Sequence, residues 1–203
     1  MKLKGATIPG HEVFEYFLIL SLPLRVQERI LELRADFHER FATVHTIKGR
    51  PSLALAHFLQ YTSMQEKLVE RLCSTAAYFP PMHIHLRNFG SFPEHSIYIK
   101  VSEVSGIHQL VKNININAKQ LLQVNKQTKP MIMLEPHIGI VRKLKPDVYQ
   151  ESWPEYEKKS FMADFEATEM ILLRRPMGLK GWETVNTIEF KNVPGPAVQG
   201  TLF

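Results

Sequence analysis

Pro51-Ser52-Leu53-Ala54-Leu55-Ala56 and Pro136-His137-Ile138-Gly139-Ile140-Val141 repeat one pattern within a single chain. In each, a proline opens the segment and branched aliphatics follow at alternate positions. Side chains of a strand point to opposite faces with a period of two. Leu53 and Leu55 therefore share one face, as do Ile138 and Ile140, and that face should be core. The other face carries Ser52, Ala54 and Ala56 in the first copy and His137, Gly139 and Val141 in the second. Small residues on that face should leave space, as the floor of a cleft does.

Outward from these strands, hydrophobic spacing predicts the remaining elements. Phe14–Leu22 is a continuous apolar run ended by Pro23 and reads as a buried strand. Val26, Ile30, Leu33, Phe37 and Phe41 recur at helical spacing, with Glu28, Arg29, Glu32 and Arg34 in the gaps as a polar face. Ser52–Phe58 returns to strand, and Met64, Leu68, Leu72 and Ala76 mark a second helix. His83–Phe89 and Ser96–Val101 flank the turn Gly90-Ser91-Phe92-Pro93, a hairpin signal. Ile107, Leu110, Val111, Ile114, Ala118 and Leu121 form one face of a third helix. A single strand is expected from Pro130 and Met131 through Val141, then a loop or short helix over Pro146–Tyr156. Phe161–Phe165, Glu169–Arg174 and Thr184–Phe190 close the fold as strands. Hairpins mixed with single helices indicate α+β architecture with antiparallel sheets.

Bulk properties narrow the function classes. The 203 residues, 44% hydrophobic and 22% charged, have an ordinary globular composition. A net charge of +5 and a pI near 9.3 favour an anionic partner but fall short of a dedicated duplex-DNA binder. Cys73 is the lone cysteine, so no intrachain disulfide and no thiolate metal cluster are expected; a buried structural thiol is. Neither a signal sequence nor a bilayer-length apolar run is read in the chain, so a cytoplasmic address and no membrane partner are expected.

The paired strands resemble the motif of 2H phosphoesterases, the 2′-5′ RNA ligase-like proteins, in which each lobe offers proline, histidine, any residue, then threonine or serine. Tyr16-Phe17-Leu18-Ile19-Leu20 with Pro23 resembles that family's opening strand, and Phe89–Pro93 with Ile97-Tyr98-Ile99 its central hairpin. The best match is His137-Ile138-Gly139-Ile140-Val141-Arg142-Lys143-Leu144, and the likeness runs from Phe14 to Phe190. It implies two pseudo-symmetric lobes of antiparallel sheet backed by helices around a central cleft. It also bounds a domain over residues 14–191, after an extension (1–13); two prolines and two glycines in the last twelve residues predict a loose or draped tail (192–203). No cofactor or metal is implied, and a monomer is expected.

In such proteins one histidine acts as general base and the other protonates the leaving oxygen, while the two hydroxyls hold the phosphate. Histidine suits both jobs because it titrates near neutrality. Carried across, Ser52 stands at the first histidine position, Ala54 at the first hydroxyl and Gly139 at the second; only His137 is retained. The expectation is a protein with an incomplete dyad, weak or inactive in catalysis, binding an RNA or nucleotide phosphate around His137. Two alternatives stand beside it: an active cyclic phosphodiesterase or 2′-5′ RNA ligase-like enzyme with another partner for His137, and a protein-interaction module.

Substitutes for the lost groups are few. His57, five residues past Ser52, is turned to the opposite face by simple alternation, and only a bulge would bring it round. His83 and His85 form an H-x-H pair without a third ligand and read as solvent-facing. His11, His38, His45, His95 and His108 receive no role. Arg142, Lys143 and Lys145, with Arg174 and Arg175, are candidates for an anion-binding rim. Among Phe89, Phe92 and Tyr98, at least two are expected in the core, with Phe92 the candidate for stacking a base.

Overall fold

The computed structural model describes residues 12–41 and 47–194. In chain order the strands are β1 (Val13–Ser21), β2 (Ser52–Tyr61), β3 (Met82–Phe92), β4 (Ser96–Val101), β5 (Met131–Ile132), β6 (His137–Arg142), β7 (Met162–Ala167), β8 (Glu169–Pro176) and β9 (Glu183–Glu189). The helices are α1 (Leu24–Phe41), α2 (Gln65–Ala76), α3 (Ser105–Ala118) and α4 (Pro146–Lys158). A five-stranded sheet has the order β5-β2-β1-β8-β9 and a four-stranded sheet the order β6-β4-β3-β7. Every pairing is antiparallel. This is the α+β antiparallel architecture the strand pattern implied, with the two sheets implied by the family resemblance.

The helices cross between the sheets. α1 follows β1 of the first sheet yet packs against β6 of the second, and α4 packs on β3 and β4. α3 follows β4 of the second sheet yet packs on β2 and α2, while α2 also meets β9. The strand–helix–strand units β1-α1-β2 and β4-α3-β6 thus repeat the same crossing in opposite directions. On α1, Phe37 is buried and its ring lies 4.7 Å from Phe41 and 5.4 Å from Tyr156 of α4. Arg29 reaches the Met162 carbonyl and lies over the Phe161 ring. These contacts join the first helix to the second sheet.

Two elements differ from the sequence reading. The expected strand from Pro130 to Val141 is divided: β5 pairs with β2, whereas β6 pairs with β4 in the other sheet. The intervening Met133 donates its N–H to Leu55, and Pro136 removes a donor where the chain leaves one sheet for the other. Pro146–Tyr156 is part of a full helix to Lys158. Pro146 sits in its first turn, where a missing N–H costs nothing, and Pro154 is accommodated inside it. At the C-terminal end, Asn192 and Val193 donate backbone hydrogen bonds to Phe79 and Ala77. His11, His45 and the rest of the tail lie outside the described residues. No described helix is long and apolar enough to cross a membrane.

Candidate functional site

β2 and β6 approach each other where the two sheets meet. Their burial profiles agree residue for residue through the first five positions. Ser52 and His137 are half-buried, Leu53 and Ile138 buried, Ala54 and Gly139 half-buried, and the next two residues of each strand are buried. The two consecutive buried residues have a common cause, since each strand carries a bulge at the same place. Leu18 pairs with Ala56 but Ile19 with Ala54, skipping Leu55; Ile97 pairs with Val141 but Tyr98 with Gly139, skipping Ile140. An extra residue in one strand reverses the facing of everything after it.

Three expectations are corrected by these bulges. Ala56 and Val141 do not belong to the open face; both are buried. His57 is not turned away but shares the open face with Ser52 and Ala54, as Arg142, exposed, follows the bulge of β6. Five residues at about 3.3 Å each still place His57 roughly 16 Å along the strand from Ser52. Its surroundings also differ: the ring lies 5.9 Å from Phe17 and 6.1 Å from Trp182, and Nε2 is 3.5 Å from Glu15.

Cross-strand pairing builds the surroundings of His137. Lys100 pairs with His137 and Tyr98 with Gly139, so all four share a face. The His137 ring lies 4.7 Å from Tyr98 and 5.4 Å from Phe92. Gly90 gives the Tyr98 ring its seat, because a Cβ there would stand 2.6 Å from Tyr98 Cε2. Phe89 alone of the three aromatics is in the core, against Tyr156 and Phe161; Phe92 and Tyr98 remain half-buried beside the histidine. His137 Nδ1 donates to the Glu135 carbonyl at 2.6 Å, since a carbonyl only accepts. That bond assigns the proton to Nδ1 in the neutral ring and leaves Nε2 as the acceptor nitrogen. A cavity of about 260 Å³ opens beside the histidine, lined by Tyr98, Lys100, Val104, His108, Glu135 and His137 among others. His108, given no role above, belongs to this wall and donates from Nε2 to the Leu134 carbonyl at 2.6 Å.

The open space expected over Gly139 is filled. A Cβ at position 139 would lie 2.6 Å from the Cδ1 of Ile47. Beneath the same glycine sits a residue the sequence reading placed on a solvent face. Arg34 is only 6% exposed, and its Nε and one terminal nitrogen donate to the Gly139 carbonyl at 3.1 and 2.8 Å. The other terminal nitrogen donates to Gly49 at 3.1 Å. Burial first, then the nearby charge of Arg142, lowers the Arg34 pKa to about 10. The signal was in the spacing: Val26, Ile30, Arg34 and Phe37 form the buried stripe of α1, while Leu33 is only half-buried.

The expected cationic rim is also divided. Arg142, Lys143 and Lys145 are exposed near the end of β6. Arg174 pairs opposite the core residue Tyr16 and bonds Gln65 and Glu183 on that side of the first sheet. Arg175 faces the other way, bonded to Glu15 and stacked 4.4 Å over Trp182. His83 and His85 pair with Glu166 and Asp164 of β7. Among the described residues no group of three or more metal-ligating side chains forms. Cys73 is half-buried, and burial pushes its thiol up, away from nucleophilic use.

Glu15 supplies a pH-dependent contribution. Burial pushes its carboxyl up, but hydrogen bonds from Arg175 and Gly178 and the charges of Arg175 and His57 outweigh this and lower the pKa. A carboxylate depressed in the folded state stabilises fully above its unfolded value, about 4.3, and loses that contribution as pH falls through the folded value. Glu15→Gln is therefore expected to lose less stability than wild type between pH 5 and pH 3 in urea unfolding. Parallel losses would contradict this role.

Comparison with known proteins agrees with the architecture. The family description "2′-5′ RNA ligase superfamily" matches residues 22–178. LigT of E. coli in complex with 3′-AMP superposes with a TM-score of 0.62 at 17% identity, covering 88% of this chain and 98% of that one. TT0787 of Thermus thermophilus gives 0.66 at 18% identity, with coverage of 87% and 98%. LigT in complex with ATP gives 0.61 at 16% identity, with coverage of 88% and 99%. No curated protein sequence matches significantly. With most of its length matched by that family and the two-sheet fold shared with LigT, the chain belongs to the 2′-5′ RNA ligase superfamily.

Proposed function

We propose that the chain is a 2H phosphoesterase-type protein with an incomplete histidine dyad that binds an RNA or nucleotide phosphate at His137 and turns it over weakly or not at all. The observation that carries this reading is the inventory on the matched open faces of β2 and β6. His137 presents Nε2, but its counterpart is Ser52, and Ala54 and Gly139 bring no hydroxyl. A single imidazole serves as acceptor for a hydroxyl proton or, protonated, as donor to a phosphate oxygen. It cannot start as base and as acid on opposite sides of one phosphorus. Losing a general acid or base costs roughly 10²–10⁴ in rate. Loss of a phosphate-holding donor adds about 10²–10³ by analogy with oxyanion-hole deletions.

Lys100, Arg142 and Lys143 are the cations placed to attract the phosphate, and Phe92 and Tyr98 the rings placed to meet a base. The nucleotides carried by the LigT structures, 3′-AMP and ATP, belong to the ligand class proposed. A cytoplasmic monomer built as one domain over residues 14–191 is part of the same proposal, in keeping with a single thiol and two sheets joined by crossing helices.

Two measurements test it. Purified protein is expected to bind 2′-AMP calorimetrically at millimolar ligand, and His137→Ala to abolish the heat. With 2′,3′-cyclic nucleotides or 2′-5′-linked oligomers, turnover should be weak or stay at the His137→Ala background. Efficient hydrolysis abolished by that substitution would instead establish an active enzyme, and absence of any heat would favour a protein-interaction module.

A further inference from the structure

Arg34 is the one buried cationic side chain among the described residues, and no described carboxylate bonds it. Arginine is rarely buried without an anionic partner, because a desolvated charge is unfavourable unless it is compensated. Carbonyl dipoles from Gly139, Gly49 and Ile47 satisfy its donors but do not neutralise its charge. Arg142, at the exposed end of the same strand, is close enough to repel it.

The location matters as much as the imbalance. β6 is the edge strand of its sheet, and the Gly139 carbonyl takes both donors of the Arg34 fork. Gly139 is also the position where the second phosphate-holding hydroxyl of a complete site would stand. A fixed positive charge therefore lies against the edge of the strand whose open face carries His137, in surroundings that screen it less than water does.

We propose that Arg34 is a positioning residue for anion binding: its buried, uncompensated charge attracts a phosphate group to the open space beside His137. This rests on the reading that His137 marks a phosphate site. A phosphate there supplies the missing negative charge and relieves the repulsion between Arg34 and Arg142. Arg34 need not touch the ligand. It acts through the field across β6, and its fork also holds residues 47–49 against the edge.

The two roles separate by charge. Arg34→Lys keeps the charge and loses the fork; Arg34→Met loses the charge and keeps much of the stem. Wild type and both variants are titrated calorimetrically with inorganic phosphate and 2′-AMP, each at low and at high salt, after circular dichroism confirms folding. Arg34→Lys should bind 2′-AMP within about three-fold of wild type, although its Tm falls. Arg34→Met should bind at least ten-fold more weakly, with a shallower dependence on salt, as loss of a fixed charge requires. Equal affinity in folded Arg34→Met and wild type overturns the inference alone. So does an equal loss in both variants, which would make the residue a clamp. If Arg34→Met does not fold, Arg34→Lys decides: retained affinity supports the inference and a ten-fold loss overturns it. Absence of phosphate and 2′-AMP binding by wild type overturns both the inference and the phosphate-site reading.

Discussion

Combining Ser52→His, Ala54→Thr and Gly139→Thr with Ile47→Ala is expected to confer metal-independent hydrolysis of 2′,3′-cyclic nucleotides, at least about 10²-fold above wild type. The lower bound is what one restored acid or base contributes; regained phosphate contacts should add to it. The matched bulges and burial of β2 and β6 put positions 52 and 137 at corresponding places, as are 54 and 139. The fourth substitution comes from the tertiary structure. Gly139 does not occupy the left-handed region, so its backbone accepts threonine, but the new Cβ would meet Ile47 Cδ1 at 2.6 Å. The triple variant without Ile47→Ala should therefore be the less active. Initial rates on the cyclic nucleotides, with His137→Ala in the same background as control, measure both differences. A folded quadruple variant with no activity would mean that positions 52 and 137 do not address one phosphate.

Phe37→Ala should destabilise the protein by about 3–5 kcal/mol, the range for truncating a buried aromatic. Phe37 is 1% exposed and packs against Phe41 and Tyr156, at the joint where α1 lies on the second sheet. Domain stabilities are typically about 5–15 kcal/mol, so this one substitution removes a large share. It also loosens the helix turn that carries Arg34. The urea midpoint should fall with little change in slope. A loss under about 1 kcal/mol would mean that the first helix is not held by the second sheet. By contrast, Leu33→Ala on the half-buried flank of α1 should cost less.

The elements themselves were legible because hydrophobic periodicity is a local property. Alternation in β2 and β6 gave Leu53, Leu55, Ile138 and Ile140 as core, and all four are buried. The same local rule failed at His57, because a bulge is one extra residue whose presence shows only in the partner strand's register. It failed again at Met131–Val141, where two strands of different sheets follow each other closely enough to resemble one run.

The amino-acid sequence by itself determined the α+β class and the paired proline-led strands, because composition and period need only neighbouring residues. Tertiary structure decided that α1 crosses to the second sheet, that Ile47 occupies the space over Gly139, and that Arg34 carries its charge under that glycine. Those facts depend on which distant segments meet: Arg34 and Gly139 are far apart in the chain, and no local pattern records their contact.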